Sequence, residues 1–429
     1  MHLSRRLAVT TSVLVTVLLL LSALCVQSVV NRVDSGPAAR TATAGSTDAP
    51  LRLPEPTGRY AVGRQDVRLV DHGRTDPYTR GGPRELMAGV WYPAARSAGL
   101  PRARWMSPGL VAGFAENAGR LLGLPADRVD WAAVRTHAAL GAPVADPGRR
   151  RPVILYSPGF GTSRSWGTVL VEELTSRGFV VVTVDHTYEA FGVDFGGGRI
   201  AAGRPAGSGT KTGLAGPMRV RAEDIRFVLA QLTRSASGSG GPLPRDLARS
   251  LDLSRIGMFG HSAGGVTTAE TMARDSRIDA GLDLDGLSVT SAAKAWPGLR
   301  STVRRGLDRP FLMLSSAPVA AKNSESSASA KRTQNATPAS KAEVSTLPVQ
   351  LRARSPHTVA EERIAGAGHY SFTDFQALLP QLRRGAGPAP RRVADLIGAA
   401  APGPVLDRQR GLTAGFFERT LRPDRLPSA

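Results

Sequence analysis

The chain has 429 residues, 41% apolar and 21% charged, a composition that fits a globular protein and excludes a disordered one. Its formal net charge of +20 raises the question of a nucleic-acid partner. Only five of the 55 basic residues are lysines, and the arginines are scattered, with no basic helix or patch interleaved with aromatic residues. We therefore predict no nucleic-acid binding. The single cysteine lies in the first apolar run, which excludes disulfides and cysteine metal sites from the rest of the chain.

The amino terminus has the pattern of a targeting segment. Arg5 and Arg6 precede 24 uncharged residues at 7–30, a run long enough to span a bilayer and long for a signal-peptide core. We predict a signal peptide or uncleaved signal anchor at 1–30, followed by a flexible linker at 31–58, which is rich in Pro, Ala and Thr. The protein is therefore expected to be secreted or membrane-anchored outside the cytoplasm, with membrane contact through 7–30 if that segment is not cleaved.

Residues 59–425 are predicted to form one domain in which strands and helices alternate. Short apolar or alternating runs predict strands at 67–70, 86–92, 152–157, 179–184, 256–259, 278–284, 311–314 and 358–364, the first two forming a hairpin. Helices are predicted after 161, at 219–234 and 266–274, and from about 372. This alternation favours an α/β fold, with a mostly parallel sheet covered by helices on both faces.

Three segments interrupt this alternation. Residues 97–148 are helical in pattern and are a candidate helical cap over a site. Residues 192–217 are rich in glycine and read as irregular. Residues 315–347 are rich in Ser, Ala and Lys, which predicts a low-complexity surface insertion.

The motif GHSAG at 260–264 follows a predicted strand and precedes a predicted helix. A serine flanked by glycines two positions away in that setting is typical of a nucleophile elbow, a sharp turn that raises the hydroxyl above the sheet. Side chains at the glycine positions would collide with the neighbouring strand and helix. We predict that Ser262 is the nucleophile; the alternative is an ordinary glycine-rich turn between a strand and a helix.

Two aspartates compete for the role of the acid that orients a histidine. Asp285 directly follows the strand 278–284, at whose carboxyl end a carboxylate can hold an imidazole. Asp283 lies on the same strand face but one step deeper, and Asp279 lies at the wrong end. We favour Asp285 and keep Asp283 as its rival; one of these carboxylates could instead cap the following turn.

His369 lies in the sequence GAGHY directly after the last predicted strand. The chain order Ser262, Asp285, His369 is that of a hydrolase triad, so His369 is predicted to be the general base. His261 is the variable residue of the elbow and is expected to have a structural role. His186 ends a strand and is a candidate pocket residue.

The sequence PGFG at 158–161 ends the buried strand 152–157. Its glycines allow the backbone to present N–H groups, so Phe160 and Ala263 are predicted to form an oxyanion hole through their backbone N–H groups. The alternative is a simple helix-entry turn. The further candidate pocket residues are Trp166, Tyr188 and Tyr370.

Several stretches together carry a family resemblance: VWYP at 90–93, PVILYSPGFG, VVTVDHTYEA, RAEDIRFVLAQL, GHSAGG, LDLDG and GAGHYSFTDF. Over about residues 60–380 the chain resembles the plasma-type (isoform II) platelet-activating factor acetylhydrolases, which are α/β hydrolases, and especially their actinobacterial relatives. The step of 23 residues from Ser262 to Asp285 is more specific than GHSxGG, which many lipases share. The resemblance implies an α/β-hydrolase fold, the triad Ser262, Asp285 and His369, and oxyanion donors at Phe160 and Ala263.

The resemblance further implies a serine esterase that removes short, acetyl-like acyl chains from phospholipids or related lipids, and a monomer is expected. No metal and no cofactor are expected, because the histidines are scattered and neither HExxH nor a P-loop lysine pattern is present. Pro158 replaces a histidine found in many relatives and gives a turn similar to that of cutinases, so a triacylglycerol lipase or polyester hydrolase is one alternative. The other is a non-catalytic hydrolase-fold protein that binds lipid or cell wall.

Overall fold

The computed structural model describes residues 50–204, 215–288, 297–317, 347–383 and 387–422. The predicted leader at 1–30 and most of the predicted insertion at 315–347 lie outside these residues. Within the described ranges, no helix is both long enough and apolar enough to cross a membrane.

One ten-stranded sheet organises the domain. The strands are β1 Ala61–Thr75, β2 Pro83–Ala94, β3 Arg102–Arg104, β4 Arg135–Leu140, β5 Arg151–Ser157, β6 Val180–Asp185, β7 Gly192–Asp194, β8 Ile200–Ala202, β9 Leu251–His261, β10 Ala280–Leu284, β11 Phe311–Ala317 and β12 Val359–Ala365. Their order in the sheet is β12-β11-β10-β9-β5-β6-β2-β1-β4-β3, while β7 and β8 form a separate hairpin. The six strands from β12 to β6 are parallel to one another, and β2 runs antiparallel to both β6 and β1. The mostly parallel sheet of an α/β hydrolase is thereby confirmed.

Helices cover both faces of this sheet. They are α1 Pro108–Leu122, α2 Thr168–Ser176, α3 Ala215–Ala236, α4 Arg245–Arg249, α5 Ala263–Met272, α6 Pro297–Arg305, α7 347–354, α8 Phe375–Leu378, α9 Pro390–Ile397 and α10 Pro402–Leu421. Helices α3 to α7 pack on one face, and α2 and α10 pack on the other. Helices α1, α8 and α9 share a third, aromatic cluster.

The strand β5 shows how the sequence produces this layering. All seven of its residues are buried, as expected for a central parallel strand. Val153 and Leu155 point into the cluster that contains Ile225 of α3, whereas Ile154 and Tyr156 pack with Phe417 of α10. Each fully buried aliphatic side chain of this kind stabilises the fold by roughly 1.5–3 kcal/mol. An apolar run with period-two alternation therefore holds two helical layers together.

The strand register brings the predicted functional segments to one edge. Ser157 pairs with Gly260, and His261 pairs with Leu284, so β5, β9 and β10 end side by side. Leu284 also pairs with Leu314 of β11. The residues that follow these strands therefore emerge together at the carboxyl edge of the sheet.

Two predicted segments differ from the structure. The segment 97–148 is not wholly helical, because β3 and β4 add two strands beside β1, and only α1 in it is an α-helix. The sequence of β4, RTHAAL, buries mainly small residues, and its strand pattern is therefore weak. The irregular segment 192–217 contains the β7–β8 hairpin and the start of α3.

The end of the predicted linker packs on the domain. Leu53 is buried in the aromatic cluster, and its carbonyl lies 3.0 Å from His137 Nε2. The N–H of Thr57 donates to Glu173 at 2.9 Å, and that of Gly58 donates to Ser176 Oγ at 3.0 Å. Residues 50–58 are therefore part of the folded body, since their apolar and polar groups find fixed partners there.

Candidate active site

Ser262 occupies a strained turn between β9 and α5. Its backbone has φ 55° and ψ −119°, a conformation that costs a non-glycine residue of the order of 1–3 kcal/mol. Its N–H donates to the carbonyl of Leu284 at 2.9 Å, which fixes the turn to the end of β10. The Ser262 side chain is half-buried. This is the local geometry of a nucleophile elbow.

The elbow's glycines are required by close backbone approaches. A Cβ at Gly260 would lie 2.3 Å from the carbonyl carbon of Gly264 and 2.6 Å from the carbonyl oxygen of Ser157. A Cβ at Gly264 would lie 1.8 Å from that same oxygen. Only hydrogen fits at either position, because the helix must start directly against the neighbouring strand.

Asp285 and His369 are brought together by the strand order. His369 Nδ1 lies 2.8 Å from Asp285 Oδ2. The other carboxylate oxygen of Asp285 accepts from the N–H of Ser316 at 2.9 Å and from the Ser288 hydroxyl at 2.8 Å. Burial alone would raise the pKa of Asp285, but the hydrogen bonds from His369, Ser316 and Ser288 lower it below its ordinary value. Asp285 is therefore an ionised carboxylate fixed against the imidazole.

The rival Asp283 has a different environment. It is fully buried, and its two carboxylate oxygens accept from the N–H groups of Gly286 at 2.8 Å and Leu287 at 2.9 Å. Burial raises the pKa of Asp283 to about 8. Asp283 therefore caps the turn that follows β10, while Asp285 is the aspartate that contacts His369.

His261 connects the elbow to the loop that carries His369. Its Nε2 lies 3.0 Å from the carbonyl oxygen of His369, and the two ring centroids are 4.6 Å apart. Burial lowers the pKa of His261 to about 3, so the neutral ring donates through Nε2–H.

In the described part of the chain no hydrogen bond joins Ser262 Oγ to His369 Nε2. Catalytic hydrogen bonds of this kind often tighten only when substrate binds.

The turn at 158–161 lies directly over the elbow. A Cβ at Gly159 would be 3.5 Å from Ser262 Cβ. The N–H groups of Phe160 and Ala263 donate to no other group among the described residues, and Ala263 is the first residue of α5. Free N–H groups at a helix start and in a facing turn can bind an oxyanion.

Two of the candidate pocket residues form an aromatic wall beside His369. The ring centroid of Tyr370 is 5.6 Å from that of His369, and that of Trp166 is 6.1 Å from Tyr370. Trp166 also packs on Phe375, with centroids 4.7 Å apart, and on Phe114 of α1. The segment 97–148 thus supports this wall through α1.

Tyr188 has other neighbours. Its backbone has φ 67°, and its ring lies 6.3 Å from Tyr78 and 4.8 Å from the Arg204 guanidinium. None of the ring contacts found among the described residues joins Tyr188 to Ser262, Asp285 or His369. Its place in the pocket remains a prediction.

His186 is not a pocket residue, because it is buried beneath the strand ends. It is 1% exposed, its Nδ1 lies 3.0 Å from Asp224 Oδ2, and its Nε2 lies 3.0 Å from Ser157 Oγ. Burial, together with the nearby positive charge of Arg221, lowers the pKa of His186 to about 4, despite the hydrogen bond to Asp224. His186 lies at the carboxyl edge of the sheet, as its position directly after β6 indicates, but its side chain points into the protein interior.

The lowered pKa of His186 predicts a loss of stability in acid. In the unfolded chain its pKa returns to the ordinary 6.5, so protons bind the unfolded state preferentially as pH falls from about 6.5 to about 4. Between pH 7 and pH 5 this group should lower the free energy of unfolding by about 2 kcal/mol. Urea titrations at both pH values should show a pH dependence that is smaller by about that amount in His186→Gln.

The control is His72→Gln, which removes the side chain of an exposed histidine on β1. It should keep the wild-type pH dependence. A His186→Gln variant that loses as much stability in acid as the wild type would contradict the prediction.

Two buried charged residues lie behind the site and were not predicted from the sequence, Arg221 and Glu189. Arg221 lies on the apolar stripe of α3 between Met218 and Ile225, and a charge on such a stripe is the signal that could have been read. Glu189 follows the end of β6.

Across the described ranges, no three His, Cys, Asp or Glu side chains come close enough together to hold a metal ion.

Comparisons with known proteins agree with this architecture. The sequence model of the family "Platelet-activating factor acetylhydrolase, isoform II" matches residues 45–192, a stretch that includes the turn at 158–161 and ends before the elbow. A solved structure described as "Ferulic acid esterase from Streptomyces cinnamoneus" superposes with a TM-score of 0.66. It is 31% identical in sequence, and the match covers 89% of this chain and 97% of that one.

Curated relatives match a smaller share. A "Probable 1-alkyl-2-acetylglycerophosphocholine esterase" of Arthroderma benhamiae is 29% identical over 256 residues, 57% of this chain and 61% of that protein. A "Platelet-activating factor acetylhydrolase" of Cavia porcellus is 26% identical over 258 residues, 54% of this chain and 55% of that protein. The chain thus spans between about half and three fifths of the length of these relatives.

Proposed function

Because the chain belongs to the isoform II platelet-activating factor acetylhydrolase family of α/β hydrolases, we propose that it is a serine carboxylic ester hydrolase. Ser262 is the nucleophile, His369 the general base and Asp285 the residue that orients it. The observation that carries the proposal is the 2.8 Å contact between His369 and Asp285 beside a serine held at φ 55°. Strain of this kind persists at functional turns that the surrounding structure over-determines.

The reaction follows from these contacts. Asp285 accepts the Nδ1–H of His369, which leaves Nε2 unprotonated and able to take the Ser262 proton as Oγ attacks the ester carbonyl. The oxyanion of the tetrahedral intermediate accepts the N–H groups of Phe160 and Ala263. The intermediate collapses to an acyl-enzyme as His369 returns the proton to the leaving alcohol. Water, deprotonated by His369, then releases the acid and restores Ser262.

For the substrate we propose short-acyl lipid esters, as the names of the curated relatives suggest. The wall nearest His369 consists of Tyr370 and Trp166, and Trp166 is itself packed against other aromatic rings. A long aliphatic groove would add roughly 0.8 kcal/mol for each buried methylene, and the segments around the motifs show no long aliphatic stripe that would build one. A short acyl pocket fits this composition better.

An ester panel of graded acyl length tests the substrate class. We expect kcat/KM for acetyl to butyryl esters to exceed that for palmitoyl esters by at least about tenfold, a difference of about 1.4 kcal/mol in activation free energy. Two series of esters are compared, 2-acyl glycerophosphocholines and p-nitrophenyl esters. Within each series the alcohol is kept constant and only the acyl chain varies. A maximum at long-chain triglycerides or on a polyester film would instead support the lipase or cutinase alternative.

A second candidate substrate is an ester of an aromatic acid. The match to the ferulic acid esterase structure covers 97% of that chain. In this chain, Trp166 and Tyr370 present aromatic rings near His369. Methyl ferulate belongs in the same panel for this reason. A kcat/KM for methyl ferulate above that for 2-acetyl glycerophosphocholine would transfer the proposal to aromatic esters with the same triad.

We also propose that the enzyme acts outside the cytoplasm as a monomer, after export directed by residues 1–30. The basis for export is the uncharged run at 7–30, preceded by Arg5 and Arg6. Mass determination of the protein recovered from its natural host tests this. Cleavage near residue 28 supports a signal peptide, and an intact amino terminus in the membrane fraction supports an anchor.

A further inference from the structure

The turn that carries Phe160 is held at both of its ends. At the entry, the carbonyl of Pro158 accepts a hydrogen bond from the Arg221 guanidinium. At the exit, the N–H of Gly161 donates to Glu189 Oε1 at 2.8 Å. Between these two points the N–H of Phe160 is left without a partner among the described groups. The two contacts therefore fix the ends of the turn that presents the Phe160 N–H.

The groups at the two ends belong to a single ion pair. Arg221 Nη1 donates to Glu189 Oε2, and the two residues are 0% and 4% exposed. Both lie outside the triad, Arg221 on α3 and Glu189 after β6. We name this pair the turn clamp. It joins two separate elements to the turn at 158–161.

The turn clamp also reaches the second oxyanion donor. Arg221 Nε donates to Thr267 Oγ1 at 3.0 Å, and Thr267 Oγ1 donates to the carbonyl of Ala263 at 2.8 Å. Arg221 Nη2 further donates to Ser157 Oγ at 3.0 Å, at the end of β5. One guanidinium is therefore bonded to the carbonyl of Pro158, two residues before Phe160, and through Thr267 to the carbonyl of Ala263.

We propose that the turn clamp of Arg221 and Glu189 is a positioning device that sets the spacing of the two oxyanion donors for the transition state. The inference rests on the proposed function. A buried ion pair adds little net stability, because the cost of desolvating the two charges offsets their attraction. Stability therefore does not account for the ion pair of Arg221 and Glu189 beneath the site. Oxyanion donors act only at about 2.7–3.1 Å from the developing charge, and a fixed frame removes the cost of reorganising them during reaction.

The first test replaces Glu189 by glutamine. In Glu189→Gln the ion pair is lost, and an NH2 donor replaces one of the two carboxylate oxygens that accept separately from Arg221 and Gly161. The matched control is Glu172→Gln: Glu172 is also a buried glutamate, and it accepts from the N–H groups of His137 and Ala138 on β4, away from the site.

We expect Glu189→Gln to lower kcat for a short p-nitrophenyl ester by about 10- to 100-fold, part of the 10²–10³ associated with losing one donor. KM should change little, because the donors bind the transition state rather than the ground state. The inhibition constant of a trifluoromethyl ketone, which forms the tetrahedral adduct, should rise in parallel with the loss of kcat. The midpoint of the pH profile of kcat/KM should not move, because His369 and Asp285 are untouched.

Glu189→Asp is the second variant, for the case in which Glu189→Gln does not fold. It keeps the negative charge, but its side chain is one methylene too short to contact both Arg221 and Gly161. We expect the same pattern with a smaller loss of kcat.

Three results would overturn the inference: a kcat loss in Glu189 variants equal to that of Glu172→Gln, unchanged ketone affinity, or a loss expressed in KM. Folded Glu189 variants with wild-type kinetics would reject the turn clamp alone, provided that the wild type is active and Ser262→Ala is not. A wild type without esterase activity would reject the proposed function itself, and the inference with it.

Discussion

Ser262→Ala is expected to abolish ester hydrolysis, with kcat falling by about 10⁵–10⁶-fold, the scale of losing the nucleophile of a serine hydrolase. The reason is covalent: without Oγ no acyl-enzyme forms, and only binding and the oxyanion donors remain. The measurement is the steady-state rate on a short p-nitrophenyl ester, with covalent labelling by a fluorophosphonate probe as a second readout. The wild type should be labelled and the variant should not.

Folding is not expected to suffer in this variant. The elbow is fixed by backbone contacts, such as the bond from Ser262 N–H to the carbonyl of Leu284, and these survive the substitution. Ser176→Ala is a control that removes another serine hydroxyl, that of a buried serine on α2, away from the elbow. Labelling that persists in Ser262→Ala would show that the nucleophile is a different residue.

Asp285→Asn is expected to lower kcat by about 10⁴-fold, the scale known for triads whose acid is made neutral. Asparagine cannot accept Nδ1–H in the same way, so the imidazole loses the tautomer that leaves Nε2 free to take the Ser262 proton. The hydrogen bonds from Ser316 and Ser288 hold the side chain in place, so little else should move. The measurement is kcat on the same ester, with circular dichroism to confirm folding.

Asp283→Asn is the matched control for that variant. Asp283 lies two residues earlier, on β10, and its carboxyl caps the turn through Gly286 and Leu287. Its substitution should lower the free energy of unfolding by about 1–3 kcal/mol, because a buried N–H loses its acceptor, and should leave kcat close to wild type. The reverse ranking of the two variants would assign the acid to Asp283.

Much of the sheet and of the candidate site could be predicted from the sequence because both depend on local patterns. The run PVILYS predicts a buried strand because both faces of a central parallel strand are apolar, and β5 is buried throughout. GHSAG predicts a sharp turn because only glycine tolerates the approach of Ser157 to Gly260 and Gly264. The ends of successive parallel strands share one edge, so Ser262, Asp285 and His369 could be assigned to a common site without coordinates.

The choice between two side chains on one strand needed the tertiary structure. Asp283 and Asp285 are two positions apart, so a regular strand would place both side chains on the same face. The backbone of Asp285 leaves that alternation at φ 57°, which turns its carboxylate to His369 on a loop 84 residues away. The left-handed backbone conformation of Asp285 is fixed by the neighbouring strand, because the N–H of Asp285 donates to the carbonyl of Leu314.

The sequence alone thus determined the order of the central strands, the sharp turn at Ser262 and the loop that carries His369, because backbone sterics and hydrophobic periodicity act over a few residues. Only the tertiary structure decided that His186 points inward, that β4 joins the sheet, and that Arg221 and Glu189 meet beneath the turn at 158–161. The direction of a polar side chain at a strand end and the partner of a buried charge depend on residues distant in sequence. Desolvation makes an unpaired charge costly, and the partner that removes this cost is available only once the chain has folded.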